Sequence, residues 1–255
     1  MCHLRKICLP LFLLVLNMPF AARSTDETTS AIRLNTLGFL PDHSKRASIA
    51  APSTDFSVVN EADGHLALRG KVSGPIHNDD TNEELYIADF SALTRPGRYH
   101  LEVAGVGRSA PFRIGRDVYD SAFRTTVRAM YLWRCGTSVR AEHDGRIYAH
   151  QACHLNDAWL DLAGEGHARR QSSGGWHDAG DYNKYVVNAG FTVGVMLRAW
   201  EEFGAQIQKI RLDLPEDSGA LPAYLNEIKW ETDWLLTMQA ADGSVYHKIS
   251  TKEFG

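Results

Sequence analysis

Between Ile32 and about Phe112, apolar and polar residues alternate in short runs. IRLNTLGF, RASIAA, FSVVNEADG, LALRGKV, ELYIADF and GRYHLEVAG follow one another, with turn clusters at Pro41-Asp42, Ala62-Asp63-Gly64, Asn78-Asp79-Asp80 and Arg95-Pro96-Gly97. Period-two alternation punctuated in this way predicts strands and reverse turns. About seven short strands in roughly 80 residues predict a β-sandwich. No charged cluster or candidate nucleophile stands out in this part.

Past Gly115 the period lengthens to that of a helix. DVYDSAFRTTVRAMYLWRC places Tyr119, Phe123, Val127, Met130 and Tyr131 near one face, with Asp117 as the expected cap. A passage without clear periodicity runs from Gly136 to about Asp181. It leads into YVVNAGFTVGVMLRAWEEF, apolar on nearly every side, and then LPAYLNEIKWETDWLLTMQ, whose apolar positions are Leu225, Ile228, Trp230, Trp234, Leu235 and Met238. A helix apolar all round belongs inside a larger helical body. The expectation is therefore that residues up to Gly255 hold only part of such a domain.

The first residues have a different texture. Arg5 and Lys6 precede the apolar run ICLPLFLLVLNMPF, and Ala21-Ala22 supplies small residues. Pro10, Asn17 and Pro19 interrupt the run, which falls short of the ~20 residues of a spanning helix. This reads as a signal peptide over residues 1–22, removed on export to the extracellular space or periplasm, with no membrane attachment afterwards. The 255 residues carry a formal net charge of −4 and no basic stripe, which argues against nucleic acid as a partner. GVGRSA at Gly105 is too little for a dinucleotide fingerprint. Nothing in the pattern bears on oligomeric state.

If Cys2 and Cys8 leave with the signal, Cys135 and Cys153 remain. Outside the cytosol two thiols form a disulfide or part of a metal site. With His154 and His177 nearby in sequence, the set has the composition of a tetrahedral zinc site, while a loop of this length closes equally well with a disulfide.

The densest chemistry lies in GGWHDAGDYNKY, residues 174–185. Asp178 and Asp181 stand three apart on a glycine-rich stretch, so a helical turn would face them the same way. Two carboxylates that close repel unless a water, a metal or a hydroxyl lies between them. One could then orient a water and the other deprotonate it. A plainer reading has Asp178 capping the helix that follows, and the stretch lacks EF-hand ligand spacing.

GGWHDAGDYNKY resembles the signature region of the family 9 glycoside hydrolases, the inverting cellulases. IRLNTLGFLPDHSKRA is similar to the start of the immunoglobulin-like domain in one branch of that family, and EIKWETDWLLTMQAADGSVYHK to a later helix and loop. The resemblance implies an immunoglobulin-like sandwich over residues 30–114, then the N-terminal part of an all-α (α/α)6 barrel over 117–255. It implies a secreted enzyme cleaving β-1,4-glucosidic bonds in cellulose or a related β-glucan. Asp181 matches the general base and Asp178 the carboxylate assisting it. The family's general acid is a glutamate far downstream that matches no residue here, so the 255 residues alone are expected to be inactive. A glycan-binding accessory protein, or a decayed gene product, is the alternative.

In the same branch the resemblance implies a structural zinc held by Cys135, Cys153, His154 and His177. It also implies a calcium ion, whose ligands the sequence does not place. Sugar rings offer C–H faces to aromatics and hydroxyls to polar groups. Trp176 and Tyr182 flank the aspartates and are candidates for substrate contact, and His247 matches a sugar-contacting histidine of the family.

Overall fold

The structure, a computed structural model, describes residues 28–155, 173–215 and 219–250. The expected signal peptide over 1–22 lies outside the described residues. The chain divides into two compact units, Met1–Gly115 and Arg116–Gly255.

The first unit is built from β1 (Ile32–Arg33), β2 (Arg46–Ile49), β3 (Asp55–Asn60), β4 (Leu66–Asn78), β5 (Glu83–Asp89), β6 (Gly97–Val103), β7 (Gly107–Arg108) and β8 (Phe112–Ile114). The hydrogen-bonded order is β1-β2-β5-β4-β3-β6-β7, with β8 on β6. Long β4 serves both layers: its first half pairs with β3 (Val58↔Leu68) and its second with β5 (His77↔Glu84). Inward positions along these strands fill one core. Phe39, Phe90 and Phe112 meet with ring centroids 5.1–5.4 Å apart, and Ile49, Val58, Tyr99 and Leu101 are fully buried around them. Contact of this kind adds to area burial. The alternation in the sequence is thus realised as a two-layer sandwich.

A polar group in this unit was not anticipated. His100 is buried, its Nδ1 2.5 Å from Glu61 and its Nε2 3.1 Å from Glu102, and Arg108 Nη2 donates to the same Glu61 oxygen at 2.5 Å. Glu61 lies far from His100 and Arg108 in sequence and meets them only through strand pairing.

The second unit contains α1 (Asp120–Leu132), the hairpin β9 (Val139–His143) and β10 (Arg146–His150), α2 (Val186–Ile207), α3 (Ala223–Thr237), and the short pair β11 (Lys184–Tyr185) and β12 (Lys248–Ile249). Val127 and Tyr131 of α1, Val193 and Met196 of α2, and Tyr224 and Ile228 of α3 share its core. Two expectations need correction. The cap position of α1 is Tyr119 and not Asp117, Tyr119 makes no side-chain cap bond, and the Asp117 carbonyl accepts from the Asp120 amide at 3.1 Å. The passage after Gly136 is not wholly irregular, because Asp144 and Gly145, both at positive φ, close a tight hairpin.

α2 is apolar on nearly every side, yet among the described residues only one side is covered: Val187, Phe191 and Val195 are exposed, Phe191 at 75%. No described helix is long and apolar enough to cross a membrane.

Candidate active site

The segment Gly174–His177 runs antiparallel to the end of α1. Arg134 and Trp176 form a bridge pair, the Cys135 amide donates to the Gly175 carbonyl at 2.7 Å, and the His177 amide donates to the Trp133 carbonyl at 2.9 Å. This pairing brings Cys135 beside His177. The hairpin then carries the chain back: His150 Nε2 lies 3.1 Å from the Leu132 carbonyl, and the Ala152 amide donates to Ser138 Oγ at 3.2 Å. Cys153 and His154 arrive at the same place.

One ligand atom from each of Cys135, Cys153, His154 and His177 lies within 4.8 Å of the other three. Among the described residues this is the one such group of three or more His, Cys, Asp or Glu side chains. His177 is buried and its Nδ1 lies 3.1 Å from the Tyr182 carbonyl. A carbonyl only accepts, so Nδ1 carries the proton and Nε2 presents its lone pair, 3.3 Å from Cys153 Sγ. Tetrahedral Zn–S and Zn–N bonds put neighbouring ligand atoms about 3.3–3.8 Å apart. Burial above all, followed by His154, Lys184 and His150, lowers the His177 pKa to about 4, so the ring is neutral. Burial pushes the Cys135 thiol up to about 11. Both cysteines are free thiols here, with no disulfide between them, and Nδ1 of His154 is a buried nitrogen without a protein partner among the described residues. The donor set and its spacing fit a tetrahedral metal.

From His177 the chain makes a closed turn. The Asp178 amide donates to the Asn183 carbonyl at 2.9 Å, and the Tyr182 amide to the Ala179 carbonyl at 3.1 Å, with Tyr182 itself at φ 54°. The loop directs the two carboxylates to different partners. Asp181 accepts from Tyr185 Oη at 2.9 Å and from Asn183 Nδ2 at 2.9 Å. Burial raises its pKa, but the bonds from Tyr185 and from the Asn183 side chain and amide outweigh that, and the carboxyl is held below its ordinary value. Asp178 is exposed, and its Oδ1 accepts from Asn188 Nδ2 at 2.6 Å. Asp178 does not cap α2, whose cap position is Tyr185, a residue that makes no side-chain bond to the helix amides. It shares a cavity of about 220 Å³ with Trp133, Trp176, His177, Tyr185, Asn188 and Glu231.

The three candidate sugar contacts divide. Tyr182 is 49% exposed. His247 is also exposed and is delivered to the site by β11 and β12: the Val186 amide donates to its carbonyl at 3.0 Å, and its ring centroid is 6.4 Å from that of Tyr185. Trp176 is 7% exposed and its indole donates to Glu227 Oε1 at 2.7 Å, which makes it a wedge between α1 and α3.

Sequence reasoning missed the charged groups beneath the loop. Glu227 and Glu231, one turn apart on α3, are completely buried. Glu227 holds Arg134 by a two-pronged ion pair at 2.8 and 3.3 Å, and Arg134 also lies over the rings of Tyr131 and Trp230. Burial pushes the Glu231 carboxyl up to about 8, against the Trp176 amide bond and Lys184, which lower it. A polar pair at i and i+4 on the face of α3 that carries Ile228 and Trp234 was the available signal.

Residues 119–254 match the profile of glycosyl hydrolase family 9, and residues 27–108 match that of the cellulase N-terminal ig-like domain. The first unit is thus an immunoglobulin-like sandwich, and the second is the start of an (α/α)6 barrel region. Endoglucanase D of Acetivibrio thermocellus is 51% identical over 239 residues, 92% of this chain and 38% of that protein. The cellodextrinase of Butyrivibrio fibrisolvens is 36% identical over 223 residues, 86% of this chain and 40% of that protein. The chain therefore spans about two fifths of the length of these relatives. Among solved structures, a metagenome-derived glycoside hydrolase family 9 endoglucanase superposes with a TM-score of 0.74 at 35% identity, covering 85% of this chain and 42% of that one. A Zn-binding triple mutant of family 9 endoglucanase J30 superposes with a TM-score of 0.73 at 36% identity, over 82% and 40% respectively.

Proposed function

This chain belongs to glycosyl hydrolase family 9, and on that premise we propose that it supplies the water-activating half of a secreted, inverting β-1,4-glucanase acting on cellulose or a related β-glucan. The observation that carries this reading is the closed loop from Asp178 to Asn183, which holds two carboxylates by separate partners on one short piece of backbone. Asp181 is the base. Its lowered pKa keeps it ionised, so it can accept a proton from a water as that water attacks the anomeric carbon. Asp178 accepts the water's other hydrogen and sets its direction. Inversion requires an acid about 6.5–9.5 Å from the base to protonate the leaving oxygen, and no residue of this chain is assigned to that step. Tyr182 and His247 border the loop on its open side and are proposed to contact the sugar.

Cys135, Cys153, His154 and His177 would hold a structural zinc. Its chemistry is that of a closed four-ligand site, which stabilises a fold and activates no water. His177 adjoins Asp178, so this set ties the base-bearing loop to the end of α1.

The test is release of reducing ends from carboxymethylcellulose by the chain joined to the remaining length of an endoglucanase relative. The expected result is turnover that Asp181→Ala lowers by at least about 10²-fold, in line with general-base catalysis, with the protein still folded. Near-normal turnover by that variant would remove Asp181 from the role. Zinc analysis of the purified chain should give one equivalent, lost in Cys153→Ala.

A further inference from the structure

Beneath the aspartate loop the helical unit buries four charged-type side chains that the proposed chemistry does not use: Arg134, Lys184, Glu227 and Glu231, each 5% exposed or less. Burying such groups is costly unless each is paired, and here they converge on one short piece of backbone. Lys184 Nζ donates to the Gly174 carbonyl at 2.7 Å. Trp230 Nε1 donates to the Gly175 carbonyl at 3.1 Å. Glu231 Oε2 accepts from the Trp176 amide at 2.5 Å, and Glu227 Oε1 from the Trp176 indole at 2.7 Å. The segment is thus bonded on one edge by α1 and from below by α3 and Lys184.

A carboxyl oxygen that grips a loop amide from a rigid helix fixes that amide in rotation as well as position. The next residue, His177, must aim Nε2 at Cys153, and the one after it, Asp178, must reach Asn188 and the shared cavity. We infer that Glu231 is a positioning residue: by holding the Trp176 amide, it sets the rotation of the chain that delivers His177 to the metal ligands and Asp178 to the reacting water. The inference rests on the reading of those two sets above. Glu231 is not one of the four metal ligands and acts through Trp176.

Three substitutions separate positioning from mere packing. Glu231→Gln keeps an acceptor for the amide. Glu231→Leu keeps volume and removes the acceptor. Glu231→Asp keeps the group but shortens its reach, and it carries the test if the leucine variant does not fold. Two readouts are taken on the 255-residue chain: amide hydrogen exchange at Trp176 to Asp178 by nuclear magnetic resonance, and cobalt(II) binding followed by its visible absorption.

The expected result is a loss of about 10-fold or more in protection at these amides in the leucine or aspartate variant, with α2 and the sandwich strands unchanged, since local opening is read residue by residue. Cobalt affinity should fall about 10-fold or more with a shifted spectrum, as for other groups that orient metal ligands, and the glutamine variant should restore both. Wild-type protection at Trp176, or a loss spread evenly over the unit, would overturn the inference. Failure of the wild-type chain to bind cobalt would instead remove the metal assignment, and amide exchange would still decide the role of Glu231.

Discussion

Replacing Arg134 by Met should destabilise the helical unit strongly while leaving the sandwich as it was. Glu227 is fully buried and Arg134 nearly so, their ion pair made at 2.8 and 3.3 Å. Removing the cation from such a pair strands a charge that water cannot reach, at about 3–5 kcal/mol. The lost stacking of the guanidinium on Trp230 at 4.7 Å and Tyr131 at 5.0 Å adds about 0.5–2 kcal/mol. Against a domain stability on the order of 5–15 kcal/mol, the variant should be close to unfolding. A second substitution, Glu227→Gln, removes the stranded charge yet keeps an acceptor for the Trp176 indole. The double variant should therefore recover about 2–3 kcal/mol, because replacing both members of a buried pair is far milder than removing one. The assay is urea unfolding followed by tryptophan fluorescence, which reports the helical unit alone since all 6 tryptophans lie beyond Gly115. A cost below about 1 kcal/mol for Arg134→Met, or single substitutions whose costs simply add, would refute the reasoning.

Gly175→Ala should cost about 2 kcal/mol or more in the same assay, because Gly175 sits at φ +72° and a Cβ there would stand 2.7 Å from Cγ of buried Trp234. Glu231 gives a pH dependence. Its pKa is raised from 4.5 to about 8, so its contribution is complete below 4.5 and is lost as pH rises through 8. His177, lowered from 6.5 to about 4, works the other way only below pH 6.5, so with metal chelated the unit should lose stability between pH 6.5 and 8, by on the order of 1 kcal/mol per unit at most. Glu231→Gln should flatten that slope, and an unchanged slope would clear Glu231 of it. In the sandwich, burial raises the Glu61 pKa but bonds from His100 and Arg108 more than offset it, so its contribution is present above 4.5 and falls away in acid. Far-ultraviolet circular dichroism should show Glu61→Gln less sensitive to acid than the parent and weaker at neutral pH.

What could be read from the chain follows from how far each interaction reaches. The sandwich was legible because strand alternation is local: Phe56 and Val58 point inward from the same run that presents Asp55 and Ser57 outward. The three helices were legible for the same reason. The hairpin after Gly136 carried its signal in Asp144-Gly145, but its strands expose Ile147 and Tyr148, so the alternation that marks a half-buried strand was weak. The His100 cluster gave no signal, because Glu61 and Arg108 become its neighbours only through the pairing of β3, β6 and β7.

The buried glutamates of α3 show the same limit where it matters for function. On a helix, Glu227 and Glu231 share a face with Ile228 and Trp234, and a sequence reading assigns carboxylates to solvent because an unpaired buried charge is prohibitive. That assignment fails only if compensating groups wait on the other side, and here they come from three separate stretches: Arg134 after α1 and the Trp176 amide and indole in the loop as donors, and Lys184 in β11 as a nearby positive charge. Each group is tolerable inside because the others are there. The loop that bears the aspartates depends on α3 as well as on its own glycines, so substitutions in α3 should reach Asp178 through Trp176 without touching the open side of the site.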